Sequence, residues 1–217
     1  MKRYFDGATV SLSSFSDRKW LIYILVLAVF SCGLLLGSVS SNNLDKTKYL
    51  ELNQYINDFL VRANDISFEP AKMARNAAIN NMITVAAIYF LGLTVIGLPI
   101  VLGVLFVRGF VIGFAVCFLT RDMPVSGLLF TLAAIFPHNL IYIPAICVGS
   151  ASSIMFTVLL WKRNFNSGIT IWPRLIKYTG IMAAVFVVAL GAGLVEGYIT
   201  PVFTKMAAAF ISGRYLR

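Results

Sequence analysis

Few side chains in this sequence could take part in chemistry, and they stand apart along the chain. There is one histidine, His138, and two charges lie well inside apolar sequence, Arg108 and Glu196. Asn80 and Asn81 are adjacent amides early in another apolar stretch, and Asn139 follows His138 directly. A catalytic triad, a zinc site and a carboxylate pair each lack members. The sequence therefore predicts no catalytic residue, no metal ligand and no cofactor site, and the chain is not read as an enzyme. Cys32, Cys117 and Cys147 sit in apolar stretches, with neither a disulfide framework nor metal-ligand spacing.

Each polar residue has two readings. Arg108 lies roughly 12 Å along its helix from the inner face, at about 1.5 Å per residue from Ile100. A cation at that depth either faces a bundle interior or cavity or snorkels back to the headgroups. Glu196 falls near Ile199, the expected outer end of its span, which suits an interfacial side chain. The two are expected at different heights and are not paired. His138 and Asn139 stand at a helix break after Pro137, where they can satisfy freed backbone groups or line a site for a proton or ligand.

The elements that carry these residues follow from composition. Of 217 residues, 59% are hydrophobic and 12% charged, against about 25% charged in a soluble domain. A water-soluble globule is excluded. The net charge of +9 is spread singly and in pairs, which fits cytoplasmic loops and anionic headgroups rather than nucleic acid. A single polytopic domain over 1–217 is expected: an all-α integral membrane bundle of five transmembrane helices, a re-entrant half-helix and an amphipathic extracytoplasmic helix.

The spans are read from uncharged runs, since a crossing needs roughly 20 apolar residues. The first is 20–39. Ser38-Val39-Ser40 resembles a signal cleavage site, but the apolar run exceeds a signal core of about 7–15 residues, which favours a retained anchor. Proline at 99 divides the next run into 76–98 and 100–120. The stretch 126–161 would be about 54 Å of helix, too long for one crossing and too short for two. Lys2, Arg3, Arg18 and Lys19 at one end, and Lys162, Arg163, Arg174 and Lys177 further on, should both be cytoplasmic. Parity then makes 124–136 re-entrant, 139–161 the fourth span and 178–199 the fifth, with the loop 40–75 outside.

In that loop Tyr49, Leu52, Ile56, Phe59, Ala63 and Ile66 form a continuous apolar stripe at helical spacing. Over 45–66 it predicts a helix that either lies on its own bundle or headgroups or docks an extracytoplasmic partner. Small-xxx-small pairs occur at Gly33/Gly37, Gly109/Gly113 and Gly193/Gly197. They allow close helix packing within one bundle, or self-assembly into a homo-oligomer.

Four stretches carry a family resemblance: Asn80-Asn81, FVRGFVIGF (106 to 114), FPHNLIYIPA (136 to 145) and VEGYITP (195 to 201). Together they resemble the stage II sporulation protein M family, over nearly the whole chain. Where the wider family often has His-Gly-x-x-Glu, this sequence reads His138-Asn139-Leu140-Ile141-Tyr142 and lacks that Gly and Glu. The resemblance implies a multi-span scaffold in the cytoplasmic membrane of an endospore-forming bacterium, on the mother-cell side of the septum during engulfment. Its implied partners are two peptidoglycan-degrading proteins, stage II sporulation proteins D (a lytic transglycosylase) and P (an amidase and endopeptidase), together with the lipid bilayer. The alternative reading is a small-solute or ion transporter using Arg108 and the broken helix at Pro137. Against it stand the missing repeat and the scarcity of intramembrane acids.

Overall fold

A computed structural model of the chain describes residues 19–62, 69–121, 124–165 and 170–215, and these residues are almost wholly helical. The elements are α1 (Lys19–Asn42), α2 (Lys46–Arg62), α3 (Pro70–Gly92), α4 (Gly97–Arg121), α5 (Pro124–Ala134), α6 (Phe136–Phe165) and α7 (Trp172–Leu194). A π-helical turn, Val195–Ile199, leads from α7 into α8 (Thr200–Tyr215). Four helical segments are long and apolar enough to cross a membrane: Lys19–Asn42, Gly97–Arg121, Phe136–Arg163 and Trp172–Ala207. The chain is an all-helical membrane protein.

Helix α3 has the length of a crossing but is more polar, carrying Lys72, Arg75, Asn76, Asn80 and Asn81. Its polarity has a structural reason. It packs among α4, α6, α7 and the π turn, so part of its surface meets protein rather than lipid.

Prolines locate the helix ends differently from the sequence reading. Proline at 99 does not end the second span near Leu98; α3 stops at Gly92 and α4 begins at Gly97. Pro99 sits in the first turn of α4, where a missing N–H leaves no helical bond unmade. Helix α7 likewise starts at Trp172, with Pro173 in its first turn, rather than at Tyr178. The fifth span does not end at Ile199, because the helix continues through the π turn into α8. There the Thr200 hydroxyl bonds the Val195 carbonyl at 3.4 Å. The wider turn relieves the clash that Pro201 would otherwise make with the carbonyl four residues back.

Side-chain and glycine contacts give the helix directions. Gly33 and Gly37 of α1 lie against the Phe106 and Phe110 carbonyls, while Gly109 and Gly113 of α4 lie against those of Phe30 and Leu34. Asn42 and Ser41 then meet Cys117 and Arg121. The pairing advances in the same sense on both helices, so α1 and α4 are parallel, backbone against backbone. Gly193 and Gly197 meet Ala78 and Ala74, and Asn81 reaches the Ala189 carbonyl, so α3 and α7 are antiparallel. Ser153 and Thr157 of α6 donate to the Ile88 and Gly92 carbonyls of α3 at 3.1 and 3.0 Å, which makes those two parallel. All three small-residue pairs are thus occupied within the chain.

The core is continuous, running from Val26, Val101 and Leu105 through Tyr142 and Ile146 to Met182, Val185 and Ala189. Near one end, Tyr178 stacks between Phe156 and Tyr89 at centroid distances of 4.8 and 5.3 Å and donates to the Tyr89 carbonyl at 2.9 Å. Towards the other end the packing changes character.

Candidate functional site

The polar residues scattered along the sequence converge on one cavity of about 390 Å³. Asn80, Asn81 and Thr84 come from α3, Arg108 from α4, His138 and Tyr142 from adjacent turns of α6, and Glu196 from the π turn; Ala77 and Ile83 complete the wall. Arg108 and Glu196, which the sequence reading does not pair, line the same cavity. Glu196 is no longer near a helix end once α8 extends α7, and its helix runs alongside α3 rather than away from it. A π turn adds one residue to a turn and is frequent at functional sites. Here Gly197 packs on Ala74 while the neighbouring Glu196 lines the cavity.

Arg108 is only partly satisfied. One Nη donates to the Thr84 hydroxyl at 3.3 Å, and Thr84 in turn donates to the Asn80 carbonyl at 2.9 Å. The guanidinium lies over the Tyr142 ring, 5.1 Å from its centroid, a cation–π contact. No ion pair joins Arg108 to Glu196; Lys72 pairs with Glu69 near the start of α3. The ring of Tyr142 is only 2% exposed. Its hydroxyl, though near Thr84 and Arg108, closes no hydrogen bond of good geometry.

His138 and Asn139 divide the two roles the sequence left open to both. Helix α5 ends at Ala134 and α6 begins at Phe136, because Pro137 can neither donate nor accommodate the carbonyl four residues back. Asn139 Nδ2 donates to the Ile135 carbonyl at 2.8 Å and lies 3.1 Å from His138 Nε2. A carbonyl only accepts, so the amide NH₂ must face it. The second N–H of that amide then donates to Nε2, which places the proton of a neutral His138 on Nδ1. Asn139 repairs the helix break; Nδ1 of His138 is buried without a partner in the cavity wall. The site thus presents a guanidinium, a phenol and an imidazole N–H as donors, with one carboxylate as acceptor. No group of His, Cys, Asp and Glu suited to a metal ion occurs among the described residues.

Thr84 and Tyr142 belong to the site without having been singled out in the sequence. Tyr142 follows His138 by four residues, one helical turn on the same face, at the position of the Glu in His-Gly-x-x-Glu. That spacing was a usable signal.

The amphipathic segment is the helix α2, described over Lys46–Arg62. Tyr49, Leu52 and Ile56 are half-buried. Phe59 is in α2 but its side chain lies outside the description, and Ala63 and Ile66 lie outside the described residues. Tyr49 packs on Phe118 with centroids 5.4 Å apart, and Arg121 lies over its other neighbourhood at 4.4 Å from the centroid. At that end the stripe rests on the chain's own bundle. Leu50 and Tyr55, off the stripe, are 56% and 73% exposed.

Comparison with known proteins adds a family. No curated protein and no solved structure matches the chain. The family model described as Stage II sporulation protein M matches residues 26–201, which takes in every residue of the cavity.

Proposed function

Because the chain belongs to the stage II sporulation protein M family, we propose that this sporulation-related membrane protein is a non-enzymatic scaffold. It recruits peptidoglycan-degrading enzymes, stage II sporulation proteins D and P, and holds them at the septal and engulfing membrane on the mother-cell side. The observation that carries this reading is the mounting of α2. Tyr49 packs on Phe118 and under the Arg121 guanidinium, which anchors α2 to the bundle, while Leu50 and Tyr55 stay exposed. An anchored amphipathic helix with free apolar side chains suits partner capture.

Topology supports the same reading. Helices α1, α4 and α7 run one way and α3 and α6 the other, an alternation that suits five crossings with α3 as the polar one. Lys162, Arg163, Arg174 and Lys177 lie at the bundle end opposite Arg121 and α2. With those bases inside, α2 faces the cell wall, and α5, packed on α4 and α8 at that end, takes the place of the re-entrant segment.

The test is recovery of the full-length tagged chain from sporulating cells, followed by identification of what comes with it. The hydrolases should co-purify with the native chain and fall roughly tenfold with Leu50→Asp plus Tyr55→Asp, since truncating interface anchors commonly costs more than 1 kcal/mol each. Membrane levels should hold, because neither side chain is buried. Absence of any peptidoglycan-degrading enzyme from the native sample would remove the scaffold reading. The polar cavity favours a second activity of the bundle, small-ligand binding.

A further inference from the structure

We propose that the cavity between α3, α4, α6 and the π turn binds a small zwitterion, its acid oxyanion on Arg108 and its ammonium on Glu196. This goes beyond the scaffold reading and does not depend on it.

The argument begins with two opposite charges that share one cavity without pairing. Ionisable groups inside a membrane bundle are expensive and take partners, and Arg108 and Glu196 are both half-buried in this one. Arg108 has one hydroxyl and one ring for partners, and Glu196 has neither a hydrogen bond nor an ion pair among the described residues. A simple anion would answer Arg108 and leave Glu196 unmet, and a simple cation would do the reverse. A metal cation would face the guanidinium without a cluster of ligands around it. One molecule carrying both charges meets both needs.

The neutral groups agree with that division. Tyr142 Oη and His138 Nδ1 are donors buried without partners in the same wall, and a buried polar atom left unsatisfied is destabilising. Tyr142 stands beside Arg108 and would turn its hydroxyl to an oxyanion held there, while His138 faces both Glu196 and Arg108. Glu196 is the sole acidic side chain of the lining, so it takes the ammonium. A volume of about 390 Å³ is within the usual range of small-molecule sites.

The way in is on α3. Asn80 is exposed and Ile83 is 60% exposed, and both line the cavity. An oxyanion joined to an ammonium reaches such a mouth from two sources: a free amino acid in water, or the ethanolamine headgroup of a phospholipid at the bundle surface. The chemistry recognised is the same.

The experiment uses the full chain in nanodiscs of phosphatidylglycerol alone. Thermal unfolding is followed with alanine, acetate or ethylammonium in solution, or with phosphatidylethanolamine added to the discs, and affinity is measured by titration. Alanine or phosphatidylethanolamine should raise the midpoint, while acetate and ethylammonium should not. Response to alanine alone assigns the source to water, and response to the lipid alone assigns it to the bilayer. Arg108→Gln and Glu196→Gln should each weaken binding by at least about tenfold, as truncating one partner of a buried charge pair does, while Arg108→Lys and Glu196→Asp restore most of it. If Arg108→Gln does not fold, Glu196→Gln and Glu196→Asp carry the test alone. The proposal is overturned if neither zwitterion shifts the midpoint, if a singly charged probe shifts it equally, or if Glu196→Gln binds as the native chain does. Hydrolase recovery with Glu196→Gln separates this outcome from failure of the scaffold reading.

Discussion

The seam between α1 and α4 and the wall between α3, α6 and the π turn are both helix–helix contacts at membrane depth, yet they differ in the polar groups they carry. At the seam, four glycines let two parallel backbones touch, flanked by the rings of Phe106, Phe110, Phe114 and Phe118 at successive centroid distances of 6.3, 6.4 and 6.1 Å. Ser38 adds a hydrogen bond to the Gly113 carbonyl at 3.2 Å. The Ser41 hydroxyl, at the end of the seam, is its one buried polar side-chain atom without a partner among the described residues. In lipid, where apolar side chains gain little by leaving one hydrocarbon for another, close packing of this kind is what associates helices. At the cavity wall Gly193 and Gly197 bring α7 and the π turn just as close to α3, but beside that contact buried donors and half-buried charges are left under-satisfied. The lesson is that the first region holds the bundle together, whereas the second gives up part of that stability to keep polar groups at a cavity.

The sharpest break of the comparison is to enlarge a seam glycine. A side chain at Gly113 would run into the Leu34 backbone, which no rotamer relieves. Gly113→Leu should therefore cost about 3 kcal/mol or more, at the upper end of overpacking effects. It should be seen as a large fall in the unfolding midpoint of the detergent-solubilised chain. An unchanged midpoint would mean that α1 and α4 do not meet as described.

A smaller effect separates the two neighbours at the helix break. Asn139→Ala leaves the Ile135 carbonyl without its side-chain donor and should cost about 1–3 kcal/mol. His138→Ala removes a ring with one unpartnered nitrogen and should cost less. Equal losses in the two variants would contradict the division of roles between repair and cavity wall. The smallest effect has the opposite sign. A Cβ at Gly103 of α4 meets nothing within 4 Å, so Gly103→Ala should raise stability by about 0.5–1 kcal/mol. A fall would show that this face of α4 is occupied too.

Much of the fold was legible because uncharged length is a direct physical requirement for crossing lipid. The runs holding α1, α4, α6 and α7 stand out for that reason, and the stripe of Tyr49, Leu52 and Ile56 carries helical periodicity wherever it packs. Proline was the weaker signal. The same residue that stops a helix is welcome in its first turn, and only the neighbouring backbone decides between them, as at Pro99 and Pro173. The members of the site were visible one by one, since Arg108, Glu196 and His138 are conspicuous in apolar sequence. Their meeting was not, because it depends on the register of α7 against α3 and on a π turn that no residue type announces. Tyr142 and Thr84 passed unnoticed because a tyrosine and a threonine in a span are ordinary until a guanidinium sits between them.

The parallel seam bears on how the molecule is made. Helix α1 leaves the ribosome before α4, the helix on which its glycine face packs, and the chain between Asn42 and Gly97 must be synthesised and turned back before that helix exists. At about 5–20 residues per second, α1 waits several seconds in the bilayer with Gly33 and Gly37 uncovered. Through that interval it is a hydrophobic but unpartnered helix, open to insertion factors and to other nascent chains. The arrival of α4 ends the wait, so a ribosome stalled before Arg121 would leave α1 inserted and the protein unassembled.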